Sequence, residues 1–284
     1  MIKIDTSIIL ATYNWPEALE IILANLVLQL DRHPNVEIVI ADDGSKSSTI
    51  EVVTKYNAIN SRIKHVWHAD NGFQKSMILN KAVASSVGEY LLFLDGDCIP
   101  FLDYISEQMK LRQNGYFVAG NRVLLSKSYT KYLLNNPNKI NQVFEWNIFK
   151  WLIAKITKKV NKSLPSLRFG NGQWRYWRDT NWKYPKGCNF AVSRNDFLAI
   201  NGFDESFTGW GHEDADLFVR FLHHGVKIKD GRFAIPVLHL WHKNSDRGNE
   251  RENMSRLLSR LNNKGVIVAR TGVSQYLTEG TTNE

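Results

Sequence analysis

The chain has 284 residues, of which 43% are apolar and 23% charged. That is the composition of a soluble globular protein, not of a disordered chain, a collagen-like fibre or a polytopic membrane protein. Two cysteines, Cys98 and Cys188, are too few for a disulfide framework or a four-ligand zinc site. The net charge of +8 is uneven: residues 127–186 hold 13 Lys and Arg against two acids, so that segment carries +11 and the remainder −3.

Residues 4–11 (IDTSIILA) read as a strand, ended by Tyr13-Asn14-Trp15-Pro16. Residues 16–30 place a proline in the first turn and apolar residues at helical spacing, which predicts a helix. A second strand over 36–41 runs into Asp42-Asp43-Gly44-Ser45. A helix near 48–59, a short strand over 63–67 and a helix over 74–86 follow. The apolar strand 89–94 then leads into Asp95-Gly96-Asp97. This alternation predicts an α/β domain with a mostly parallel sheet. Ligands of such sheets bind at the carboxyl ends of the strands. Thr12, Asp42-Asp43 and Asp95-Gly96-Asp97 all fall there. Each cluster alone is also ordinary turn chemistry; three of them on three strand ends are the signal.

Residues 140–160 put Ile140, Val143, Phe144, Ile148, Trp151, Leu152, Ile156 and Val160 on one helical stripe, with lysines toward the C-terminal end. Two readings stand open: a helix packed on the core with solvated lysines, or a basic amphipathic helix on an anionic membrane. Residues 161–182 are loop-like, aromatic and basic. Residues 188–192 read as a strand, 194–200 as a helical turn and 215–224 as an amphipathic helix stopped by Gly225. One or two strands over 226–238 lead to His239-Leu240-Trp241-His242. The tail Gly280–Glu284 is expected to be disordered. No apolar run reaches the ~18 residues that span a bilayer, and the N-terminus lacks signal-peptide architecture. The expectation is a cytoplasmic protein.

Two carboxylates flanking a glycine after a buried strand can share a hard cation such as Mg²⁺ or Mn²⁺. His239 or His242 could add a nitrogen ligand, and imidazole with carboxylate suits Mn²⁺ better than Ca²⁺. In Gly209-Trp210-Gly211-His212-Glu213-Asp214 the glycines permit close approach and Trp210 offers a flat face to a sugar ring. Glu213 and Asp214 begin a predicted helix. Acids there are favoured by the helix dipole; a carboxylate there could equally take a proton from an acceptor hydroxyl.

Taken in order, SIILATYN, VIADDGS, NGFQKSMILNKAV, YLLFLDGDC, KGCNFAVSR, GFDESFTGWGHED and LHLWHKNSDRGNE resemble family 2 glycosyltransferases of the GT-A fold. The likeness is greatest to the branch sharing its C-terminal half with β-1,4-galactosyltransferases and bacterial chondroitin polymerases. It covers about residues 5–125 and 185–250, and does not extend to 126–184.

The resemblance implies a Rossmann-like, mostly parallel sheet flanked by helices, with an inserted basic segment. Residues 1–125 would be the nucleotide-sugar half, 126–184 a basic Trp-rich insert, 185–250 the acceptor-binding and catalytic half, and 251–284 a helix and tail. Asp43 would accept the uracil N3–H, with Asp42 shaping the turn. Ala11 and Thr12 would line the nucleotide site, together with Gly96. Gln74, Lys75 and Asn80 would lie along the donor phosphates and sugar. Asp95 would meet the ribose or the metal shell, and Asp97 and His242 would bind Mn²⁺ or Mg²⁺. Asp214 would be the general base, Glu213 would hold a sugar, and Trp210, Gly211 and His212 would face the acceptor. His212 departs from the usual glycine at its position.

The implied reaction is inverting transfer of a hexose or N-acetylhexosamine from a UDP-sugar, forming a β-linkage. The acceptor would be a glycan or a polyprenyl-diphosphate-linked oligosaccharide of bacterial surface polysaccharide, lipopolysaccharide or capsule. The basic insert would suit peripheral contact with an anionic membrane at its cytoplasmic face. No nucleic-acid partner is expected: stacking aromatics in a basic groove can bind RNA, but that reading leaves the three acidic clusters unexplained. A non-catalytic binding module would lack one of Asp97, Asp214 or His242, and all three are present.

Overall fold

The computed structural model describes residues 2–162, 165, 167–243 and 246–277; the expected disordered tail Gly280–Glu284 lies outside them. The first half builds β1 (Thr6–Thr12), α1 (Pro16–Leu30), β2 (Val36–Asp42), α2 (Ser47–Ile59), β3 (Ile63–Trp67), α3 (Lys75–Ser85) and β4 (Tyr90–Asp95). Pro16 sits in the first turn of α1, where its missing N–H costs nothing. β1 and β2 are buried along their whole length, which is why they read as near-continuous apolar runs. The pleat sorts their side chains: Ile8 and Leu10 face the core under α1, while Ile9 and Ala11 face the core under α3.

The second half adds β5 (Cys98–Pro100), α4 (Tyr104–Leu111), β6 (Tyr116–Ala119), β7 (Asn121–Leu124), α5 (Lys127–Asn135), α6 (Lys139–Phe144) and α7 (Ile148–Ile156). After a 3₁₀ turn at Gln173–Tyr176 come β8 (Asn189–Ser193), α8 (Arg194–Ala199), α9 (Glu213–His223), β9 (Lys227–Asp230), β10 (Pro236–His239), α10 (Glu250–Asn262) and α11 (Ser274–Leu277). The main sheet has seven strands in the order β3-β2-β1-β4-β8-β6-β9. β8 runs antiparallel to β4 and β6, and the other neighbours are parallel. The expected mostly parallel α/β sheet is therefore present. A second sheet of three strands has the order β5-β10-β7. Its register places His239 opposite Cys98, and Leu240 N–H donates to the Asp97 carbonyl at 2.8 Å. That pairing carries the late histidines to the end of β4.

The helix expected over 140–160 is two helices, α6 and α7, parted at 145–147. Asn147 is the cause: its Oδ1 accepts the Lys150 N–H at 3.1 Å and starts a new helix. The stripe divides accordingly. Ile140, Val143, Trp151 and Val160 are buried, whereas Leu152 and Ile156 are 39% and 78% exposed. The basic segment is not an appendage, because Tyr129, Leu133, Ile140 and Trp151 join the same core as α1. Arg175 is spent structurally: it is buried and donates to the carbonyls of Gly170, Asp230 and Arg232. α9 begins at Glu213, so the acid pair stands in its first turn, as expected. Among the described residues, no helix is long and apolar enough to cross a membrane.

Candidate active site

A cavity of about 880 Å³ opens at the carboxyl ends of β1 and β4. Ala11, Thr12, Asp43, Lys75, Asp95, Gly96 and Asp97 line it from the first half; Trp210, Glu213, Asp214, His239 and His242 line it from the second. The backbone lies close here. A Cβ on Gly96 would sit 2.5 Å from the Ala11 carbonyl oxygen, so no side chain fits between the two strand ends.

The two acids after β2 diverge. Asp42 is fully buried, accepts the Ser45 N–H at 2.8 Å, and lies 3.1 Å from His65 Nε2. It does not line the cavity and fixes the turn. Asp43 lines it, 2.8 Å from His68 Nε2, and accepts the Gln74 N–H at 3.0 Å. Burial pushes the Asp43 carboxyl up, although His68 and the Gln74 N–H pull it back. Gln74 therefore acts through its backbone. Asn80 is also off the cavity: it donates to the Phe203 carbonyl at 2.9 Å and to Glu205 at 2.8 Å, and accepts the Phe203 N–H. It ties α3 to the turn after α8.

Lys75 lies 2.8 Å from Asp95. Burial lowers the pKa of its ammonium, but Asp95, Asp214 and Glu213 together hold it well above its ordinary value. One cation thus serves three carboxylates. Burial also raises Glu213, to about 7, with the Asp214 charge adding to it and Lys75 opposing. Asp214 is raised too, chiefly by burial, with Lys75 and the Gly187 N–H pulling it down. Gly187 has no room for a side chain: a Cβ there would lie 1.9 Å from the Asp214 carboxyl carbon.

The position of this acid pair is set by the loop before α9 and by the body of that helix. Gly209, Gly211 and His212 all have positive φ (69°, 115° and 69°), and Gly211 N–H donates to Glu213 Oε2 at 3.1 Å. Asn249 and Asn253 both donate to the Thr208 carbonyl at 3.1 Å and hold this loop. Within α9, Asp216 binds the buried Arg220 at 2.6 Å and Arg260 of α10 at 2.8 Å, and Arg260 reaches Asp204 at 2.7 Å. His212 occupies a left-handed conformation that suits glycine. Neither Gly211 nor His212 lines the cavity, and His212 Nε2 is buried without a hydrogen-bond partner among the described residues.

Asp97, His239 and His242 form the one group with metal-ligand spacing among the described residues, their ligand atoms all within 4.8 Å of one another. His242 Nε2 is 3.1 Å and His239 Nε2 3.4 Å from Asp97 Oδ2. Burial would raise Asp97, but the hydrogen bond from His242, the nearby His239 and the Cys98 thiol hold it at about 2. His242 is correspondingly raised by Asp97, and burial lowers His239. An ionised carboxylate and two imidazoles on a cavity wall fit a divalent transition ion with open positions. Asp95 stands outside this group, engaged by Lys75.

The sequence reading passed over Arg122, Lys186 and Arg247, which also line the cavity. Lys186 adjoins Gly187 in the KGCNFAVSR run, which was a usable signal. Arg122 lies on β7, a strand too short to be read from its pattern.

The family model "Glycosyl transferase family 2" matches residues 7–195, and "N-terminal domain of galactosyltransferase" matches 173–243. The chain is 27% identical over 227 residues to chondroitin synthase of Escherichia coli, covering 78% of this chain and 33% of the relative. It is 27% identical over 240 residues to hyaluronan synthase of Pasteurella multocida, covering 81% of this chain and 24% of the relative. It therefore spans between a quarter and a third of the length of these relatives. A shorter match, 38% over 60 residues, joins 21% of this chain to 15% of mouse beta-1,4-galactosyltransferase 1. Among solved structures, S. aureus TarS 1-349 superposes with a TM-score of 0.61 at 14% identity, over 97% of this chain and 70% of that one. Mannosyltransferase PcManGT from Pyrobaculum calidifontis, in complex with GDP-Man and Mn2+, gives a TM-score of 0.55 at 15% identity, over 98% and 69%. These two likenesses concern the fold.

Proposed function

The chain belongs to glycosyl transferase family 2, and from that premise we propose a metal-dependent, inverting transfer of a hexose or N-acetylhexosamine from a UDP-sugar. The observation that carries the reading is one cavity holding Asp43, the Asp97–His239–His242 group and the buried Asp214. Residues 1–125 would hold the donor, with Asp43 accepting from the base and Lys75 near the phosphates. Residues 185–250 would hold the acceptor, with Trp210 against a sugar face. Asp97, His239 and His242 would hold a Mn²⁺ or Mg²⁺ ion, which when bound supplies positive charge for the leaving diphosphate. Asp214 takes the proton of the acceptor hydroxyl as that oxygen attacks the anomeric carbon. Glu213 braces the loop before α9 through the Gly211 N–H. Displacement from the opposite face inverts an α-donor to a β-product.

The acceptor in this reading is a glycan or polyprenyl-diphosphate-linked oligosaccharide of surface polysaccharide, met at the cytoplasmic face of a membrane. Supporting that, α7 exposes Phe149, Ile153 and Ile156 by 70%, 60% and 78%, with Lys150, Lys155, Lys158 and Lys159 exposed around them.

The test is UDP release by the purified protein across a panel of UDP-sugars. Release from one sugar with Mn²⁺, abolished by EDTA and by Asp97→Ala, is the expected result. A protein that neither binds UDP with Mn²⁺ nor releases it from any donor would overturn the reading.

A further inference from the structure

Two cations on the cavity wall form no ion pair among the described residues. Arg122 makes one side-chain contact in hydrogen-bond range, Nη1 to Cys188 Sγ at 3.9 Å. Lys186 is exposed, and its Nζ reaches only the Lys183 carbonyl at 3.4 Å. Neither forms an ion pair among the described residues. The other cavity cations are spoken for: Lys75 by Asp95 at 2.8 Å, and Arg247 by Glu250 at 3.7 Å and by the face of Trp210 at 4.8 Å. The surroundings add to the excess. Lys162 is held below its ordinary pKa by loss of water and then by the charges of Arg122 and Arg232.

Both cations line the cavity that holds Asp214, and the Arg122 charge acts on the Asp214 carboxyl. Gly187, whose Cα faces the Asp214 carboxyl, lies between Lys186 and Cys188, and Arg122 touches Cys188. Lys186 comes from the lead-in to β8, on the other side of β4 from β1, and Arg122 from β7 of the small sheet. Asp43 and Lys75 come from the β1–α3 side. A guanidinium drawn into a cavity wall without a counter-ion loses hydration that an anionic ligand would restore. Its planar fork matches a carboxylate or phosphate, and a lysine beside it adds a point charge.

We propose that Arg122 and Lys186 form a subsite for an anionic group of the acceptor, a phosphate or a sugar carboxylate near the hydroxyl that Asp214 deprotonates. This rests on the transferase reading above. Arg122 also feels the Asp97 charge, so the rival role is contact with the donor diphosphate. The experiment separates the two by filling the donor site first.

The full chain, saturated with UDP and Mn²⁺, is titrated with methyl β-glucuronide, N-acetylglucosamine 1-phosphate and methyl β-glucoside. Binding is followed by the change in intrinsic tryptophan fluorescence, to which Trp15, Trp210 and Trp241 on the cavity wall contribute. At least one anionic probe is expected to bind roughly tenfold tighter than the neutral glucoside, the worth of one charge-assisted hydrogen bond. The glucuronide and phosphate arms tell carboxylate from phosphate. In Arg122→Met and Lys186→Met that advantage should fall to about twofold or less, with UDP affinity within about threefold of the parent. Equal binding of all three probes by the parent overturns the subsite, as does failure of both anionic probes to bind. Loss of UDP affinity in Arg122→Met assigns that residue to the donor instead. Lys186 lies exposed in a loop, so its variant decides the matter even where Arg122→Met does not fold. Failure of the parent to bind UDP shows before any probe is added, and overturns the transferase reading itself.

Discussion

Asp214 depends on a neighbour with no side chain. Its carboxyl rests against Gly187 where a Cβ would sit 1.9 Å away, so the carboxylate and that backbone segment cannot both stay in place if the glycine gains a methyl group. Asp214→Asn keeps the volume and removes the carboxylate proposed as the base, and should lower transfer by about 10²–10⁴-fold, the usual worth of a positioned base. Gly187→Ala should lower it comparably by displacing the carboxylate. Both should keep UDP binding in a Mn²⁺ calorimetric titration, because Asp43 and the Asp97 group are untouched. A Gly187→Ala protein with parental turnover would remove Asp214 from that role. At this scale the acids were legible because each sits at a strand or helix end in a recognisable run. Arg122 was not, because nothing in Asn121-Arg122-Val123 says which way a four-residue strand turns its side chains. The division of labour between Asp42 and Asp43 was legible only in outline; His65 and His68 on and after β3 complete it from 23 and 25 residues away.

Elements of long period were the easiest to read. β1, α1, β2, α3 and β4 fall within a residue or two of their expected spans: burial on both faces gives the strands continuous apolar runs, and one buried face gives the helices their spacing. The small sheet was not legible. β5, β7 and β10 are three or four residues long, too short for a period, yet their register brings His239 and His242 to Asp97. α7 shows the opposite error, a period carried too far across Asn147. What the break achieves is exposure: freed from the stripe, α7 presents Phe149, Ile153 and Ile156 amid lysines. Such a face gains from anionic lipid both by charge and by apolar burial. Parental protein should sediment with phosphatidylglycerol vesicles and be released by high salt. Combined Phe149→Ser, Ile153→Ser and Ile156→Ser substitution should weaken binding by at least about tenfold while the far-ultraviolet circular dichroism stays unchanged. Equal sedimentation of parent and variant would show that the membrane does not meet α7.

For the molecule as a whole, the site makes stability depend on pH. Burial raises the Glu213 carboxyl from its ordinary 4.5 to about 7, and the Asp214 charge contributes to the same shift. An acid with a raised native pKa binds its proton more tightly folded than unfolded. Its contribution to stability is therefore full below the unfolded value near 4.5. It is lost as pH rises from there to about 7, and above 7 the ionised group remains a fixed penalty. Asp97, held at about 2, has the opposite sign. It stabilises the fold above its unfolded value of 3.8, and that contribution is lost only as pH falls toward 2. Between pH 4.5 and 7 the Glu213 trend is thus not offset by Asp97. Glu213→Gln keeps the shape, removes the charge, and leaves Lys75 paired with Asp95. At pH 8 the variant should melt above the parent by on the order of 2–4 °C, the shift that about 1 kcal/mol makes in chains somewhat shorter than this. At pH 5 the gap should close, because the parent then carries the proton. Melting curves of both proteins without metal, at the two pH values, check the sign directly. A parent more stable than Glu213→Gln at pH 8 would mean that Lys75 more than repays the burial of this carboxylate.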